Sequence, residues 1–258
     1  MDVRLSTPQA ESVSRWTLRR PYPGLLVSVR SVAEAEAVAH LEIDLLDLKE
    51  PRDGPLAPAA IGIWEQVADR YAASFSLSAA LGELDQALDL AAYVPPTFAF
   101  AKAGPARCGS LRNLSQSWTR LREQLTGDVH LVAVAYADYR AADCPPPCEI
   151  FELAGAMGFK HWLIDTFAKD GRSALDHLTS QTLQSIARLA VSCTACWVLA
   201  GSIRLEMIPS IHASHALPDL FGVRGDVCDG LRNGEISPVK VERWLTRLRE
   251  FEHRRAGP

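Results

Sequence analysis

The chain has 258 residues, 48% hydrophobic and 22% charged, which fits one large globular domain or two small ones. Its net charge of −4 provides no basic surface for nucleic acid or an anionic membrane, and no apolar run approaches the roughly 18 residues of a membrane helix. The first segment is polar and lacks the apolar core of a signal peptide. We therefore expect a cytoplasmic protein, with residues 1–20 as a short N-terminal extension outside the fold.

Short apolar runs alternate with amphipathic segments along the rest of the chain. The eight runs are GLLVSVR (24–30), EIDLLDLK (42–49), SFSLSAAL (74–81), TFAFAKAG (97–104), VHLVAVAYAD (129–138), KHWLIDTFAKD (160–170), ACWVLAGSI (195–203) and LPDLFGVRGDV (217–227). Nearly continuous apolar strands are typical of a parallel sheet covered on both faces. Helix start signals follow, such as a Ser with Glu three residues later in SVAEAEAVAHLE and the Ser-Pro of SPVKVERWLTRLREFEHRR. Eight strand–helix units predict an α/β fold, a single (β/α)8 TIM barrel over residues 21–255.

The six cysteines do not form the framework of a small disulfide-rich protein. Two close pairs occur, Cys144 with Cys148 and Cys193 with Cys196. The second pair lies where a helix runs into an apolar strand, which favours buried free thiols over a zinc or redox site. We expect no metal and no cofactor.

Lysine is rare in this chain, which has five lysines and 22 arginines. Active sites of such barrels lie at the C-terminal ends of the strands, which we call the mouth, and Lys49, Lys102 and Lys169 all fall there. Lysine can lose its proton near neutral pH and form Schiff bases with carbonyl compounds, whereas arginine cannot. The choice of lysine therefore indicates chemistry, although a set of structural salt bridges at the rim is the alternative interpretation.

Inward residues of strands 2, 4 and 6 can meet in one layer of the barrel. Ammonium groups that approach one another disfavour each other's charge, so we expect the pKa of at least one amine to fall. Three carboxylates at the mouth would pair with the remaining cations and relay protons: Asp47, Asp138 and Asp165.

The last two strands end in small-residue turns, which in such barrels commonly bind phosphate through backbone N–H groups. The candidate phosphate ligands are Gly201, Ser202, Gly222, Arg224 and Gly225. Together with the lysines, they point to a phosphorylated carbonyl substrate.

The segments LLVSV, IDLLDLKEPRDGPL, AKAG, VAYADYR, IDTFAKDGR, LAGSI and FGVRGDVC resemble, in order and spacing, the (5-formylfuran-3-yl)methyl phosphate synthase family of methanofuran biosynthesis. The resemblance covers roughly residues 23 to 245. It implies a (β/α)8 enzyme that condenses two molecules of glyceraldehyde 3-phosphate into a phosphorylated furan aldehyde, with loss of phosphate and water.

The same resemblance implies roles for single residues. Lys49 falls on the Schiff-base lysine and Lys102 on the proton acceptor, while Asp47, Asp165 and Lys169 fall on further residues of the family's motifs. The segment DGLRNGEI departs from the family's usual Gly-Asp-Arg run, which leaves the carry-over of a role to Arg232 open.

Other functions remain open at this point. The chain could be another Schiff-base aldolase acting on a sugar phosphate, or a non-catalytic barrel that binds a sugar phosphate. A decarboxylase of the orotidine-phosphate type would need Asp at position 52, where Arg52 stands. The expected partner is a small triose phosphate, with no nucleic acid and no membrane, and the sequence leaves a homo-oligomer open.

Overall fold

The computed structural model describes residues 22–255, in which eight parallel strands close into a barrel. The strands are Gly24–Val29 (β1), Leu45–Leu48 (β2), Ser76–Glu83 (β3), Phe100–Gly104 (β4), His130–Tyr136 (β5), His161–Asp165 (β6), Cys196–Leu199 (β7) and Leu220–Val223 (β8). Each strand pairs with the next, and β8 pairs with β1. The predicted (β/α)8 barrel is confirmed, whereas the expected extension of residues 1–20 lies outside the described residues.

One α-helix follows each strand. The helices are Val32–Val38 (α1), Ile61–Tyr71 (α2), Leu84–Leu90 (α3), Leu111–Gln124 (α4), Pro147–Ala156 (α5), Ser180–Ser192 (α6), Ile208–Ala213 (α7) and Pro238–Arg255 (α8). Among residues 22–255, none of these helices combines the length and apolar character needed to cross a membrane.

At the start of α1, the capping box indicated by the sequence forms only in part. Ser31 caps the helix by accepting a hydrogen bond from the backbone N–H of Glu34, as its sequence predicts. The Glu34 carboxylate does not complete a capping box by accepting from Ser31. It accepts instead from the backbone N–H of Arg30 and pairs with the distant Arg224, because a buried guanidinium is the stronger partner.

Successive side chains of each strand point alternately out of and into the barrel, and this separates two apolar clusters. In β2, Leu46 and Leu48 pack outward against the helices, while Leu45 packs inside the barrel. The next inward position is Asp47, which is fully buried. Since both faces of each strand are covered, a polar inward residue interrupts an otherwise apolar run, and such interruptions mark the site.

The bottom of the barrel, at the N-terminal ends of the strands, contains a histidine packed on aromatic rings. The ring of His161 lies 4.7 Å from that of Phe100 and 5.2 Å from that of His130, measured between centroids. Burial lowers the pKa of His161 from 6.5 to about 4, with a smaller contribution from His130.

His161 therefore makes stability depend on pH. The unfolded chain binds a proton at His161 more readily than the folded one, so its contribution is full above about pH 6.5 and is lost as the pH falls towards 4. We expect urea unfolding at several pH values to show a loss of up to about 3 kcal/mol that His161→Gln abolishes. The exposed His40→Gln serves as the control. An equal pH dependence in His161→Gln and wild type would contradict this expectation.

Candidate active site

Three of the five lysines lie at the mouth of the barrel. Lys49 directly follows β2 and Lys102 lies within β4, and both are buried, at 8% and 2% exposure. Lys169 belongs to the loop after β6, and its side chain is 17% exposed. The other two lysines, Lys160 and Lys240, donate hydrogen bonds to backbone carbonyl oxygens of Cys193 and Cys228.

Lys102 and Asp47 form the most deeply buried ion pair of the mouth. The Lys102 Nζ lies 2.6 Å from Asp47 Oδ1, and the Ser28 hydroxyl donates to Asp47 Oδ2 at 2.8 Å. Register pairing of Ser28 with Asp47 on adjacent strands fixes this contact. A buried charge needs such partners because its lost hydration is costly.

Asp165, at the end of β6, joins the other two lysines. Its Oδ1 accepts from Lys169 Nζ at 2.9 Å and from the backbone N–H of Thr166 at 2.7 Å. Its Oδ2 lies 3.7 Å from Lys49 Nζ. Lys169 also donates to the Thr166 hydroxyl at 3.1 Å. The aspartate is thus shared between two amines, and the Lys49 amine has the looser contact.

The surroundings lower the pKa of Lys49 from 10.5 to about 8. Burial is the largest cause, Asp165 and Asp47 oppose it, and Lys169 and Lys102 add to the lowering. The direction is the expected one, but the main cause is desolvation and not repulsion between lysines. For Asp165, burial would raise the pKa, yet Lys169 and Lys49 outweigh burial and hold the pKa at about 2.

Asp138 is buried but is held by backbone groups. Its two carboxylate oxygens accept from the N–H groups of Phe167 and Ala168, at 2.7 and 2.8 Å. These residues belong to the loop that carries Lys169. Asp138 therefore orders this loop, a contact that favours a positioning role over the proton relay expected from the sequence.

Arg224, expected to donate to phosphate, is bonded to the protein. Its guanidinium forms a two-pronged pair with Glu34, at 2.7 and 3.0 Å, and donates to the carbonyl oxygens of Ser28, Arg232 and Gly234. These five acceptors match the five N–H donors of an arginine. The geometry therefore favours a positioning role for Arg224 over direct phosphate binding.

The turn after β7 is built from Gly201 and Ser202, both with left-handed backbone conformations of φ 84° and 54°. A Cβ at position 201 would lie 2.9 Å from the backbone nitrogen of Thr166. Glycine is therefore required for this turn to pack on the loop after β6, which brings the expected phosphate turn beside Asp165.

At β8, the two glycines differ in their surroundings. A Cβ on Gly222 would lie 2.8 Å from the Cβ of Ala200, so the glycine leaves room for Ala200 inside the barrel. Gly225 lies against the Cβ of Arg232. The Arg232 guanidinium, partly buried, donates to Gly54 O at 3.3 Å, and burial lowers its pKa, with Asp165 acting in the opposite direction. Sequence reasoning assigned Arg232 no role, although it lies beside an expected phosphate turn.

Sequence reasoning also assigned no role to a hydrogen-bonded pair at the ends of β3 and β5, of which Tyr136 is buried and Glu83 is partly buried. The Tyr136 hydroxyl donates to Glu83 Oε1 at 2.6 Å. Both residues lie at strand ends of the mouth, and this position was the sequence signal that could have identified them as candidate site residues. Their contact could not be read from the sequence, because the two residues are 53 positions apart.

The fold and this cluster of buried amines and carboxylates define a (β/α)8-barrel protein of the enzyme type, with its reactive groups at the mouth. Solved structures agree on the fold. Dihydrodipicolinate synthase from Agrobacterium tumefaciens has a TM-score of 0.57 at 13% identity, covering 92% of this chain and 77% of that one. Phosphoribosyl anthranilate isomerase from Thermus thermophilus has a TM-score of 0.56 at 12% identity, covering 88% and 98%.

The family follows from sequence comparison. The family model described as 4-HFC-P synthase matches residues 25–245, so the chain belongs to this family. Relatives include the (5-formylfuran-3-yl)methyl phosphate synthase of Archaeoglobus fulgidus, 28% identical over 82% of this chain and 93% of the relative. The protein of that name from Methanosarcina mazei is 28% identical over 85% of this chain and 96% of the relative.

Proposed function

We propose that this protein is a (5-formylfuran-3-yl)methyl phosphate synthase. It condenses two molecules of glyceraldehyde 3-phosphate through a lysine Schiff base, as a lyase that releases phosphate and water. Its product would feed methanofuran or a related one-carbon cofactor. Family membership and the names of its relatives support this proposal.

The observation that carries the proposal is the Lys49 amine. It is buried at the mouth, its pKa is lowered to about 8, and its contact with Asp165 is only 3.7 Å. A neutral amine is the form that attacks a carbonyl carbon. Lys102 and Lys169 have closer carboxylate contacts, at 2.6 and 2.9 Å, which favour Lys49 as the nucleophile.

The other residues then have roles that fit their contacts. Lys49 forms an imine with the first triose phosphate, with loss of water, and Lys102 with Asp47 moves protons during enamine formation. The enamine carbon attacks the aldehyde of the second triose phosphate. Asp165 and Lys169 assist the later loss of phosphate, ring closure and dehydration, and hydrolysis of the imine by water frees the Lys49 amine.

For the phosphate groups, we propose the turns at Gly201–Ser202 and Gly225 as backbone donors. Arg232, beside Gly225, has N–H donors left for an anion, since one hydrogen bond, to Gly54 O, is found for it among the described residues. Arg224 would support this turn through its bond to Arg232 O.

The direct test is trapping. The protein is incubated with glyceraldehyde 3-phosphate and borohydride, and the modified residue is mapped by mass spectrometry. We expect an adduct on Lys49, and without borohydride an ultraviolet-absorbing furan product. An adduct without furan would favour another Schiff-base aldolase. The absence of both adduct and furan would favour a protein that only binds a sugar phosphate.

The pH dependence of the same reaction follows from the Lys49 amine. Below its pKa of about 8 the amine is mostly protonated, so kcat/KM should rise close to tenfold per pH unit and level off above about 8. Steady-state rates between about pH 6.5 and 9 check this. A profile that still rises tenfold per pH unit between about pH 8 and 9 would show an amine of ordinary basicity.

A further inference from the structure

The segment between β8 and α8 contains a loop at the mouth of the barrel, residues 228–236, which we call the β8 loop. Cys228 and Ile236 form an antiparallel bridge at its base. Three successive backbone carbonyl oxygens of this loop accept hydrogen bonds from two arginines outside it. Arg224 donates to the carbonyls of residues 232 and 234, at 3.0 and 3.2 Å, and Arg30 donates to that of residue 233 at 2.8 Å. The two side chains therefore hold the backbone of the β8 loop.

One carboxylate holds both of these arginines. Glu34 is buried in α1, where it forms the two-pronged pair with Arg224 and lies 3.2 Å from Arg30 Nε. Each guanidinium presents its N–H groups in a rigid, planar fork, so a carboxylate bound to one edge of the fork fixes where the remaining donors point. Glu34 thus determines how the two arginines meet the β8 loop.

This assembly is anchored beside the reactive cluster by direct contacts. Arg224 also donates to Ser28 O, and the Ser28 hydroxyl donates to the Asp47 carboxylate. At its far end, the β8 loop reaches the segment that follows β2, where the Arg232 guanidinium donates to Gly54 O at 3.3 Å. The loop therefore extends from β8, past the end of β1, to the segment that begins with the proposed nucleophile.

The Arg232 guanidinium is suited to bind an anion. It is partly buried, and in the described part of the chain one hydrogen bond and no carboxylate partner are found for it. Burial lowers its pKa, and Asp165 is the charged group that most opposes this effect. Asp165 is also the carboxylate next to Lys49, so Arg232 acts at this end of the cluster. A substrate phosphate bound here would balance the charge and accept from the remaining N–H groups.

We propose that Glu34 is a positioning residue of the phosphate site. Through Arg30 and Arg224 it holds the β8 loop, so that Arg232 binds the phosphate of the triose that forms the imine. This inference deepens the proposed function and rests on it. The arrangement favours the phosphorylated aldehyde, because the same aldehyde without phosphate makes no use of the oriented guanidinium. Glu34 therefore acts on substrate selection and takes no part in proton transfer.

The test measures how strongly the imine step depends on the phosphate group. The protein is incubated with cyanoborohydride and with either glyceraldehyde 3-phosphate or D-glyceraldehyde, each well below saturation, and adduct formation on Lys49 is followed by mass spectrometry. We expect Arg232→Met and Glu34→Gln each to lower the ratio of the two rates about 10-fold or more, because charged hydrogen bonds to phosphate are lost. The rate with D-glyceraldehyde should match wild type. In furan formation, KM should rise by a larger factor than kcat falls.

The matched control is Glu36→Gln, which removes an exposed carboxylate from the same helix and should keep the wild-type ratio. A Glu34→Gln variant that slows both aldehydes equally would show that Glu34 only maintains the fold, and an unchanged ratio would equally overturn the proposal. Glu34→Gln leaves the buried Arg224 without its carboxylate. If that variant fails to fold, the double variant Glu34→Gln with Arg224→Met, which removes both charges, decides by the same criteria.

The outcomes separate this inference from the proposed function. If wild type forms an adduct with neither aldehyde and makes no furan, the proposed function fails. If wild type forms adduct and furan while the folded Glu34 variants keep the wild-type ratio, only the positioning role is wrong. A ratio that falls in Arg232→Met but not in the Glu34 variants would leave Arg232 as a phosphate ligand and overturn the role of Glu34.

Discussion

Lys49→Arg is expected to abolish turnover while the barrel remains folded. Arginine keeps the positive charge beside Asp165 but cannot form an imine, so kcat/KM should fall by at least about 10³-fold, as when a covalent nucleophile is removed. Steady-state assay of furan formation measures the loss. Borohydride trapping should give no adduct, because the attacking amine is gone.

The matched control is Lys160→Arg. Lys160 lies outside the mouth and donates to a backbone carbonyl, a contact that arginine can also make, so this variant should keep wild-type activity. Circular dichroism and thermal unfolding test whether Lys49→Arg is folded. If arginine is too large for the buried position, Lys49→Met tests the same amine. Substantial turnover in a folded Lys49 variant would defeat the assignment of Lys49 as the nucleophile.

Asp47→Asn is expected to have the second large effect, on stability and activity together. It leaves the Lys102 ammonium, 2% exposed, without its carboxylate, and breaking a buried pair in this way costs about 3–5 kcal/mol. Such a loss is a large part of the 5–15 kcal/mol that typically stabilises a domain. Turnover should also fall about 10²-fold or more, because the proton-transfer pair is broken.

A double-mutant cycle isolates this interaction. Lys102→Met alone leaves the buried Asp47 carboxylate without its cation, whereas the double variant Asp47→Asn with Lys102→Met removes both charges. Urea unfolding should show that the double variant loses less stability than the two single variants together, by about 1–3 kcal/mol. The exposed pair of Glu42 with Arg249 is the control, and Glu42→Gln should cost less than about 1 kcal/mol. Additive losses at Asp47 and Lys102 would mean that the two charges do not stabilise each other.

The barrel could be predicted because its signal is repeated along the chain. Eight apolar runs separated by amphipathic segments leave few other architectures, and small shifts in strand ends do not alter the pattern. The mouth position of Lys49, Lys102 and Lys169 then followed from the rule that strand ends converge. Their rarity in an arginine-rich chain was a compositional signal that needed no contact information.

The pairings at the mouth could not be predicted in the same way. Glu34 meets Arg224 across 190 positions, and Glu83 meets Tyr136 across 53. Such contacts depend on strand register and on inward orientation, which the nearly continuous apolar strands conceal. The local motif therefore misled at Glu34, whose spacing from Ser31 suggested a capping box. The glycine-rich turn at Arg224 likewise gives no sign of the contacts that Arg224 makes with Glu34 and with backbone carbonyl oxygens.

The ion pair of Glu34 with Arg224 also has a consequence for synthesis of the protein. It joins the first helix to the end of the last strand, at the seam where β8 meets β1. A nascent chain that stops before Leu220 already carries all the mouth lysines, but it lacks this seam. In that chain the amine of Lys49 would be hydrated and keep a pKa near 10.5, so its neutral fraction at pH 7 would be about 100-fold or more smaller than at a pKa of about 8. Its reactivity towards cellular aldehydes would thus rise when translation of the barrel is nearly complete.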